Sequence, residues 1–463
     1  MKRYSLINQS DDHKRDRFSS SENIITPNWY AGKWNVKEVI LLKVAILFFI
    51  LMSVPTDYRF YVELFSVRIN AAGFFKLVAL TSYTPYWGLP HFWSWLFILI
   101  VSIVGGLLWS KIKFLPVEKD VDLYYWFRVL LRYRLAIGVI AFGLIKLFPL
   151  QIPFPSLSSL HTEYGQFLPW KIYYNTIGII PWYESFLGAV EVFAGLLLLN
   201  RNTVGFGAGI LVGFIGNVMA ANFAYDLGNQ VYSTFLFLIS VVLLSNDVPR
   251  LYKLLIREHY TQAEKYSPVF KGIAFKARKL SKLLFISIIT VFAVSSYANF
   301  RKSPFLIPNS VGLKNAYGFY NVKSFILNKD TLAYSRTNPN RWQDVVFEKW
   351  ATLSIHSAAV KHIDETRNVG YASGDVDRIY ESSGVGSRDY YSYVVDADLG
   401  VLKLYNKNPN NRSDSLTLHF KWLDENTLRL YGNNSKHDSI NAVLERINKP
   451  YLFFVGRRFP VKM

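Results

Sequence analysis

The chain has 463 residues, of which 51% are hydrophobic and 17% aromatic, and it contains no cysteine. The lack of cysteine excludes disulfides, thiolate metal sites and a thiol relay carried by this chain alone. The formal net charge is +19; because the apolar residues fall into long blocks, this excess indicates loops beside a membrane and not nucleic acid binding.

The first 300 or so residues alternate between apolar runs and polar connections. Residues 1–32 are polar and lack the apolar core of a cleavable signal peptide, which indicates a disordered cytoplasmic tail. Seven runs then approach the roughly 17 to 25 residues that a spanning helix needs. They lie at about 37–54, 91–110, 125–148, 182–200, 203–224, 229–245 and 283–299. The sequence therefore predicts a polytopic α-helical membrane bundle of about seven spans, with a shorter segment at 72–81 in the interface.

The charges of the loops predict an orientation for this bundle. Lysine and arginine are concentrated before the first run and after the second, fourth and sixth runs, whereas the alternate loops hold few. Under the positive-inside rule the N-terminus is cytoplasmic, and seven crossings place the C-terminal domain in the periplasm of a bacterial inner membrane. The predicted parts are the tail (1–32), two leading spans with their loop (33–124), a four-helix unit (125–258), a basic loop (259–282), the seventh span (283–299) and the C-terminal domain (300–463).

Five cations on the predicted cytoplasmic side are candidates for contacts with lipid head groups. Arg128 and Arg132 share a helix face at i and i+4, with Arg134 beside them, and such side chains reach phosphates by snorkelling. Lys253 and Arg257 lie on a short amphipathic segment with a proline in its first turn. Anchoring of this segment at the membrane surface is the favoured interpretation, and docking of an anionic lipid or a protein partner is the alternative.

The pattern changes from about residue 300 onward to alternating apolar and polar residues. Residues 416–431 and 390–405 each read as a β-hairpin around a turn rich in Asp, Asn or Gly, and residues 449–461 read as a terminal strand. Short strands at this spacing predict an antiparallel β domain, either a barrel or a sandwich. Its four histidines lack metal-binding spacing, so no metal site is expected; they are His356, His362, His419 and His437.

Polar side chains interrupt the third, fourth and fifth runs. A charge at membrane depth costs about 2.5 to 3.5 kcal/mol on insertion scales, so Lys146 and Glu191 are expected to face the protein interior. Glu191 lies nine residues after Trp182, about 13 Å along a helix, and its side chain leans back toward Lys146. Asn217 lies at nearly the same depth on the next helix. The sequence therefore predicts that the lysine and the glutamate meet inside the bundle.

Three further residues, Asn222, Tyr225 and Asp226, continue this polar track to the predicted outer surface. Two interpretations stay open. Interhelical hydrogen bonds and ion pairs hold membrane bundles in register at about 0.6 to 2 kcal/mol each without any substrate, and this structural role has the larger prior weight. In the other interpretation, the lysine and the carboxylates flank a site for an amphipathic head group or a quinone-like ring and exchange protons with it.

The stretch from about residue 128 to 257 resembles the DoxX-like family of bacterial membrane proteins. The residues that carry the resemblance are Gly143-Leu-Ile-Lys146-Leu-Phe-Pro149 with Gln151 after it, Glu191-Val-Phe-Ala-Gly195, and Asn217-Val-Met-Ala-Ala-Asn222-Phe-Ala-Tyr225-Asp226. The resemblance implies a four-helix membrane unit, and it implies association with quinol-linked or thiosulfate-linked oxidoreductase assemblies, as in some members. Relatives often have a cysteine where Ala224 stands here. The long form, with leading spans and a β domain, is similar to forms found in Bacteroidetes.

Two classes of function follow. The first is a quinone-linked or redox-linked membrane subunit, in which the polar side chains hold the head group and a protein partner in the membrane or periplasm supplies electrons. No haem, flavin, nucleotide or metal motif is present in the sequence, which argues against electron transfer by this chain alone. The second is a non-enzymatic membrane scaffold or envelope-assembly factor, in which the helices anchor the β domain and that domain binds a protein or a lipid.

Overall fold

A computed structural model describes residues 35–67, 71–85, 92–111, 118–261, 268, 270–302, 306–366 and 374–455. The predicted tail, residues 1–32, lies outside them. The helices are α1 (Val36–Ser53), α2 (Tyr58–Phe65), α3 (Ala71–Thr81), α4 (Trp93–Lys111), α5 (Glu118–Leu147), α6 (Leu157–Leu160), α7 (Pro169–Gly178), α8 (Pro181–Leu199), α9 (Val204–Ala224), α10 (Gln230–Ser245), α11 (Val248–Leu255), α12 (Gly272–Lys302) and α13 (Leu452–Val455).

Several of these helices are long and apolar enough to cross a membrane. Among the described residues, α4, α8, α9 and most of α12 pass on length and composition. Two bent pairs, α1 with α2 and α10 with α11, pass together, with bends of 46° and 62°, which gives up to six spans. Helix α5 covers the predicted third span, in which it carries three arginines and a lysine. The helical domain is therefore compatible with membrane embedding, and the count of seven stays a prediction.

Helix α12 is longer than the predicted seventh span. Helix α12 begins at Gly272, so it includes residues 272–282 of the predicted basic loop as well as the predicted seventh span. The residues added to the helix are mainly Ala, Leu, Lys and Arg, which favour helix and extend it beyond its apolar part. Helix α3 covers the short segment predicted in the interface; it packs on α12, with the rings of Phe74 and Phe292 5.7 Å apart.

Helices α5, α8, α9 and α10 pack around one apolar core. Its fully buried members include Leu131, Leu135, Ala194, Leu198 and Leu211. Glycines let the helices come close, most of all where α8 crosses α5. A Cβ atom built on Gly188 would lie 2.2 Å from the Leu147 nitrogen and 2.5 Å from the Gly143 oxygen. Both are backbone atoms of α5, so the helix cannot give way cheaply.

Replacing Gly188 with alanine should therefore lower the stability of the helical domain. Overpacking typically costs about 1 to 3 kcal/mol, which should appear as a lower thermal unfolding midpoint of the protein in lipid nanodiscs. Gly213→Ala is the matched control: it has the same gain in helix propensity, and a Cβ atom at that position meets no atom within 4 Å. Equal midpoints for the two variants would contradict the close packing of α5 and α8.

The C-terminal domain is a closed antiparallel β-barrel of eight strands, with one two-residue strand added at its side. The strands are β1 (Gly318–Leu327), β2 (Asp330–Thr331), β3 (Trp342–Phe347), β4 (Thr352–Ser357), β5 (Arg388–Asp396), β6 (Val401–Asn406), β7 (Ser415–Trp422), β8 (Thr427–Asn434) and β9 (Ser439–Ile447). Neighbours pair in the order β1, β3, β4, β5, β6, β7, β8, β9, and β9 pairs with β1. The pairing of β9 with β1 decides between the two predicted alternatives in favour of the barrel.

Both predicted hairpins are confirmed, as β5 with β6 and as β7 with β8. The predicted terminal strand at 449–461 is wrong in its described part, because residues 452–455 form the short helix α13 and the remainder lies outside the described residues. The strand that closes the barrel is β9. Its Ile440, Ala442 and Leu444 point into the core at alternate positions, a period of two that is the normal signature of a half-buried strand.

Candidate functional site

A cavity of about 440 Å³ lies inside the four-helix unit. Helices α5, α8, α9 and α10 form its walls, and α7 covers it on the side of the barrel. Its polar lining residues are Lys146, Gln151, Tyr173, Tyr174, Thr176, Tyr183, Glu184, Glu191, Asn217, Asn222, Tyr225, Asn229, Tyr232 and Ser233. This volume falls in the range of small-molecule sites, about 300 to 1,000 Å³.

The structure brings Lys146 and Glu191 into direct contact inside this cavity. The Lys146 Nζ atom donates to Glu191 Oε1 over 2.6 Å. The Glu191 side chain is 2% exposed and that of Lys146 is 15% exposed. Contact is possible because α5 and α8 run side by side, and Gly143 packs its backbone against Glu191 and its neighbour Val192. The pair therefore satisfies one oxygen of the carboxylate and neutralises its charge.

A second carboxylate, Glu184, lies in the same cavity and was not singled out from the sequence. It is fully buried in the first turn of α8, and its Oε1 accepts from the backbone nitrogen of Ile152 over 3.1 Å. Glu184 precedes Glu191 by seven residues, which is close to two helical turns, so both side chains project from one face. This spacing is the signal that sequence reasoning missed.

Three carboxyl or amide oxygen atoms in the lining are buried and have no hydrogen-bond partner within the part of the chain that the structure describes: Glu184 Oε2, Glu191 Oε2 and Gln151 Oε1. The Tyr232 hydroxyl, also in the lining, is buried without a partner as well. With both carboxyl groups ionised, each of the three oxygens is an acceptor, and leaving such an acceptor unpaired costs about 1 to 3 kcal/mol, more when it is charged. The cavity therefore offers acceptors to a molecule that can donate hydrogen bonds.

The other predicted members of the polar track divide into two groups. Gln151, Asn217, Asn222 and Tyr225 line the cavity together with the ion pair. Asp226 lies outside this lining: it is exposed in the turn after α9, and its Oδ1 accepts from Gln230 Nε2 over 2.8 Å. Since its carboxylate is bound in the turn, we do not place Asp226 in the site.

The candidate lipid contacts also divide. Arg132 donates to the Leu198 and Leu199 oxygens over 2.9 and 3.0 Å, so it caps the carboxyl end of α8, where a cation is favourable. Arg134 donates to the Tyr83 oxygen over 3.1 Å. These two guanidinium groups therefore have protein partners, and contact of their remaining donors with lipid phosphates stays a prediction.

The remaining three candidates for lipid contact have longer or fewer protein contacts. Arg128 is half-buried, with Tyr124 Oη at 3.4 Å and Asp247 Oδ2 at 4.0 Å. On α11, Lys253 is half-buried, and Arg257, just after the helix, is exposed and lies over the Tyr252 ring at 5.5 Å. These positions are consistent with a surface helix, and contact with lipid stays a prediction for Lys253 and Arg257. Among the described residues, no group of three His, Asp or Glu side chains is arranged to hold a metal ion.

The barrel rests on the helical domain through residues 150–178, which we call the docking segment. Glu348, directly after β3, accepts from the Leu157 nitrogen over 3.1 Å, from the Ser158 nitrogen over 2.7 Å and from Ser158 Oγ over 2.6 Å. Ser354 on β4 donates to Ser158 Oγ over 2.8 Å. All of these groups are buried. The outer face of β3 and β4 is thus an internal interface of the protein.

Two buried cations, one on the barrel and one on the docking segment, add further contacts to this interface. Arg388 on β5 pairs with Asp344 and donates to the His161 oxygen over 3.2 Å. Lys171 on α7 donates to the Tyr380 oxygen and lies 3.7 Å from the centre of that ring. Burial lowers the pKa of the Lys171 amine to about 7. None of these contacts was predicted: Arg388 and Asp344 are 44 residues apart in sequence, and the contacts with the docking segment join residues more than 200 apart.

Comparisons with known proteins leave the family open. No family model matches the chain. One relative, "Uncharacterized protein YwoB" of Bacillus subtilis (strain 168), is 38% identical over 65 residues, which is 14% of this chain and 42% of that protein. The chain therefore spans less than half the length of this relative. No solved structure matches. Membership of the DoxX-like family stays a prediction based on residues 128–257.

Proposed function

We propose that this chain is a DoxX-like multi-pass membrane protein that binds the head group of a lipid-soluble hydroquinone in the cavity of its four-helix unit. The observation that carries the proposal is the cluster of three unpaired acceptors, on Glu184, Glu191 and Gln151, around one ion pair. The two hydroxyl groups of a hydroquinone are donors and match these acceptors, whereas a quinone has only carbonyl acceptors. The reduced form is therefore the preferred ligand.

The polar side chains of the cavity can also accept the protons that this ligand releases on oxidation. Oxidation of a hydroquinone to a quinone releases two protons and two electrons. The carboxylates Glu184 and Glu191 are positioned to accept protons, and Lys146 is positioned to donate to a carbonyl oxygen. Electrons require an acceptor on another protein, since this chain has no cysteine and no haem, flavin or metal motif. We therefore propose a binding subunit within a redox assembly.

The proposed orientation places the barrel on the periplasmic side of a bacterial inner membrane. The end of α12 that leads into the barrel lies opposite its basic end, which carries Lys276, Lys279 and Lys282 among other cations. The positive-inside rule assigns such a basic end to the cytoplasm. This supports a crossing of α12 from the cytoplasm to the periplasm, as the proposed arrangement of seven crossings requires.

The test exchanges one free acceptor for a donor without disturbing the fold. In Glu184→Gln, the amide oxygen can keep the hydrogen bond from the Ile152 nitrogen, while the amide nitrogen replaces the unpaired oxygen. Binding of a decyl-substituted hydroquinone to the protein in lipid nanodiscs should weaken about 10- to 100-fold, because a hydrogen bond to a charged group contributes about 1.5 to 3 kcal/mol. The preference for hydroquinone over the corresponding quinone should narrow.

Asp226→Asn is the matched control. It makes the same chemical change in a carboxylate that lies just after α9 and outside the cavity lining. It should bind as wild type does. Calorimetric titration of both oxidation states gives the affinities, and the thermal unfolding midpoint checks the fold. Unchanged hydroquinone binding in Glu184→Gln, or no binding to wild type at all, would remove the proposal.

A second candidate function, a membrane scaffold for the β domain, is favoured by the buried docking interface. Glu348, Ser354 and Arg388 hold the barrel against the docking segment through several buried hydrogen bonds. Such an interface fixes the barrel relative to the helices, as a scaffold that presents a partner-binding domain requires. Wild-type protein that binds neither form of the quinone probe would favour this candidate over the first.

A further inference from the structure

Helices α8 and α9 touch at one end and separate toward the barrel. Near their connecting turn, a Cβ atom built on Gly207 would lie 2.9 Å from Leu197 Cβ and 3.0 Å from the Ala194 oxygen. Further along the same face of α9, Phe214 and Val218 line the cavity together with Leu187 and Glu191 of α8. The two helices are therefore in contact at the far end and have the cavity between them beyond it. Gly213 lies at the edge of this lining, and a Cβ atom built on it would meet no atom within 4 Å.

Part of the exposed cavity lining lies beside α8 and α9, near the middle of α9. Gly213 and Asn217, one turn apart on α9, line the cavity and are exposed, and Tyr183 on α8 lines it with 41% of its surface exposed. The lining residues of α10 are buried; they are Tyr232, Ser233 and Leu236. The opening of the cavity is thus between α8 and α9 and not along α10.

The side of the cavity that faces the barrel is covered. Helix α7 lies across it, and Tyr174 lines the cavity while its ring lies 6.3 Å from that of Tyr380 and 5.8 Å from that of Trp170. Lys171 fixes α7 to the Tyr380 oxygen. The barrel therefore holds the covering helix in place and narrows access from the solution on this side, where Thr176 and Tyr225 are exposed lining residues.

We propose that the ligand enters from the lipid through the gap between α8 and α9, which we call the lateral portal, and that it is an amphiphile whose apolar chain remains in the portal. This inference rests on the proposed function of the cavity. Gly213 lies eleven residues before the end of α9, about 16 Å at 1.5 Å per residue. The portal thus reaches about halfway across a hydrocarbon core of about 30 Å. The head group meets Glu184 and Glu191, and the chain leaves over Gly213.

The environment of the portal can be measured without any ligand. Because the chain has no cysteine, Gly213→Cys gives a single attachment site for a nitroxide spin label in nanodiscs. The label should collide with dissolved oxygen, which concentrates in lipid, at least 5-fold more than with a water-soluble nickel chelate. The reference positions are Ala220→Cys, which is exposed on α9, and Ser240→Cys, which is buried on α10.

The role of the portal in binding is tested with a bulky side chain. Gly213→Phe places a ring in the open gap, whereas Ala220→Phe places the same ring on an exposed position of α9 outside the cavity lining. Decyl-substituted hydroquinone should bind Gly213→Phe at least 10-fold more weakly or correspondingly more slowly than wild type. Hydroquinone without a chain should bind both variants within about 2-fold of its affinity for wild type.

The outcomes separate this inference from the proposed function. A label at Gly213 that is as shielded from oxygen as the one at Ser240 overturns the portal, whatever the probes do. Equal binding of the decyl probe to Gly213→Phe and Ala220→Phe overturns it as well. If wild type binds neither probe although the label is accessible from lipid, the hydroquinone proposal fails. The proposal that the apolar chain of this ligand occupies the portal then fails with it.

Discussion

Replacing Lys146 with methionine should destabilise the helical domain more than any other single change at the candidate site. The lysine amine contacts Glu191 at 2.6 Å and also interacts with the charge of Glu184. Without it, two buried carboxylates share one cavity and have no cation. Removing one partner from a buried ion pair typically costs about 3 to 5 kcal/mol, and the cost here should lie at the upper end.

The reciprocal change, Glu191→Gln, should be milder, because Lys146 then still has Glu184 nearby. The double variant should recover part of the loss of Lys146→Met, since it removes one of the two uncompensated carboxylates. Unfolding of the nanodisc-embedded or bicelle-embedded protein, followed as a double-mutant cycle, gives the coupling energy. Asp226→Asn serves as control for loss of a carboxylate outside the cavity. Losses that simply add, with no recovery in the double variant, would contradict a direct pairing.

The contact between Lys146 and Glu191 could be predicted from the depth of each residue in its helix, although residues 148–180 separate α5 from α8. Once antiparallel helices are placed side by side, counting residues from their ends gives the depth of each side chain at 1.5 Å per residue. The high cost of a charge in lipid then turns both groups inward. Since both side chains lie at a similar depth and point into the bundle, each has few possible partners. The sequence was therefore enough to predict the pair.

Glu184 was missed because the sequence analysis considered the depth of each residue in the membrane but not the side of the helix from which it projects. The residue lies in the first turn of α8, where a carboxylate is usually read as a favourable charge at a helix N-terminus exposed to water. The seven-residue interval to Glu191 carries the opposite information, since it places both carboxylates on the face that lines the cavity. The interval does not reveal the hydrogen-bond partner, which the structure shows to be the buried backbone nitrogen of Ile152.

The barrel shows the same division between local and distant information. The hairpins of β5 with β6 and β7 with β8 follow from turn residues between alternating segments, so local sequence was sufficient. The outer faces of β3 and β4 carry Asp344, Glu348 and Ser354, which look like solvent-facing positions of a half-buried strand. The partners of Glu348 and Ser354 lie on the docking segment, about 190 residues earlier in the chain, and nothing local in the sequence marks that contact.

Docking of the barrel should weaken as the pH rises through the range in which Glu348 ionises. Burial, with a further contribution from the nearby Glu381 charge, raises the pKa of Glu348 from 4.5 to about 7. Between these two values the folded protein holds a proton that the unfolded chain has lost, so stability falls as pH increases. This stabilisation is fully present below about pH 4.5 and is lost above about pH 7; the loss amounts to about 3 kcal/mol, at 1.36 kcal/mol per pKa unit.

Glu348→Gln isolates this effect from other titrating groups at the interface. Lys171 remains in both proteins, so its contribution, a gain in stability from about pH 7 upward, cancels in the difference. The glutamine variant offers only one acceptor oxygen to the Leu157 and Ser158 nitrogens, which should cost about 1 kcal/mol at every pH. Thermal unfolding at a series of pH values from 5 to 8 should therefore show a falling curve for wild type and a flatter one for the variant.

The control for this experiment is Glu445→Gln, which removes an exposed carboxylate on β9 far from the docking segment. Its curve should run parallel to that of wild type. Parallel curves for wild type and Glu348→Gln would instead mean that the glutamate keeps its charge throughout, held by its three donors on the docking segment. The barrel would then be fixed to the helices independently of pH, and burial would not be the dominant influence on this carboxylate.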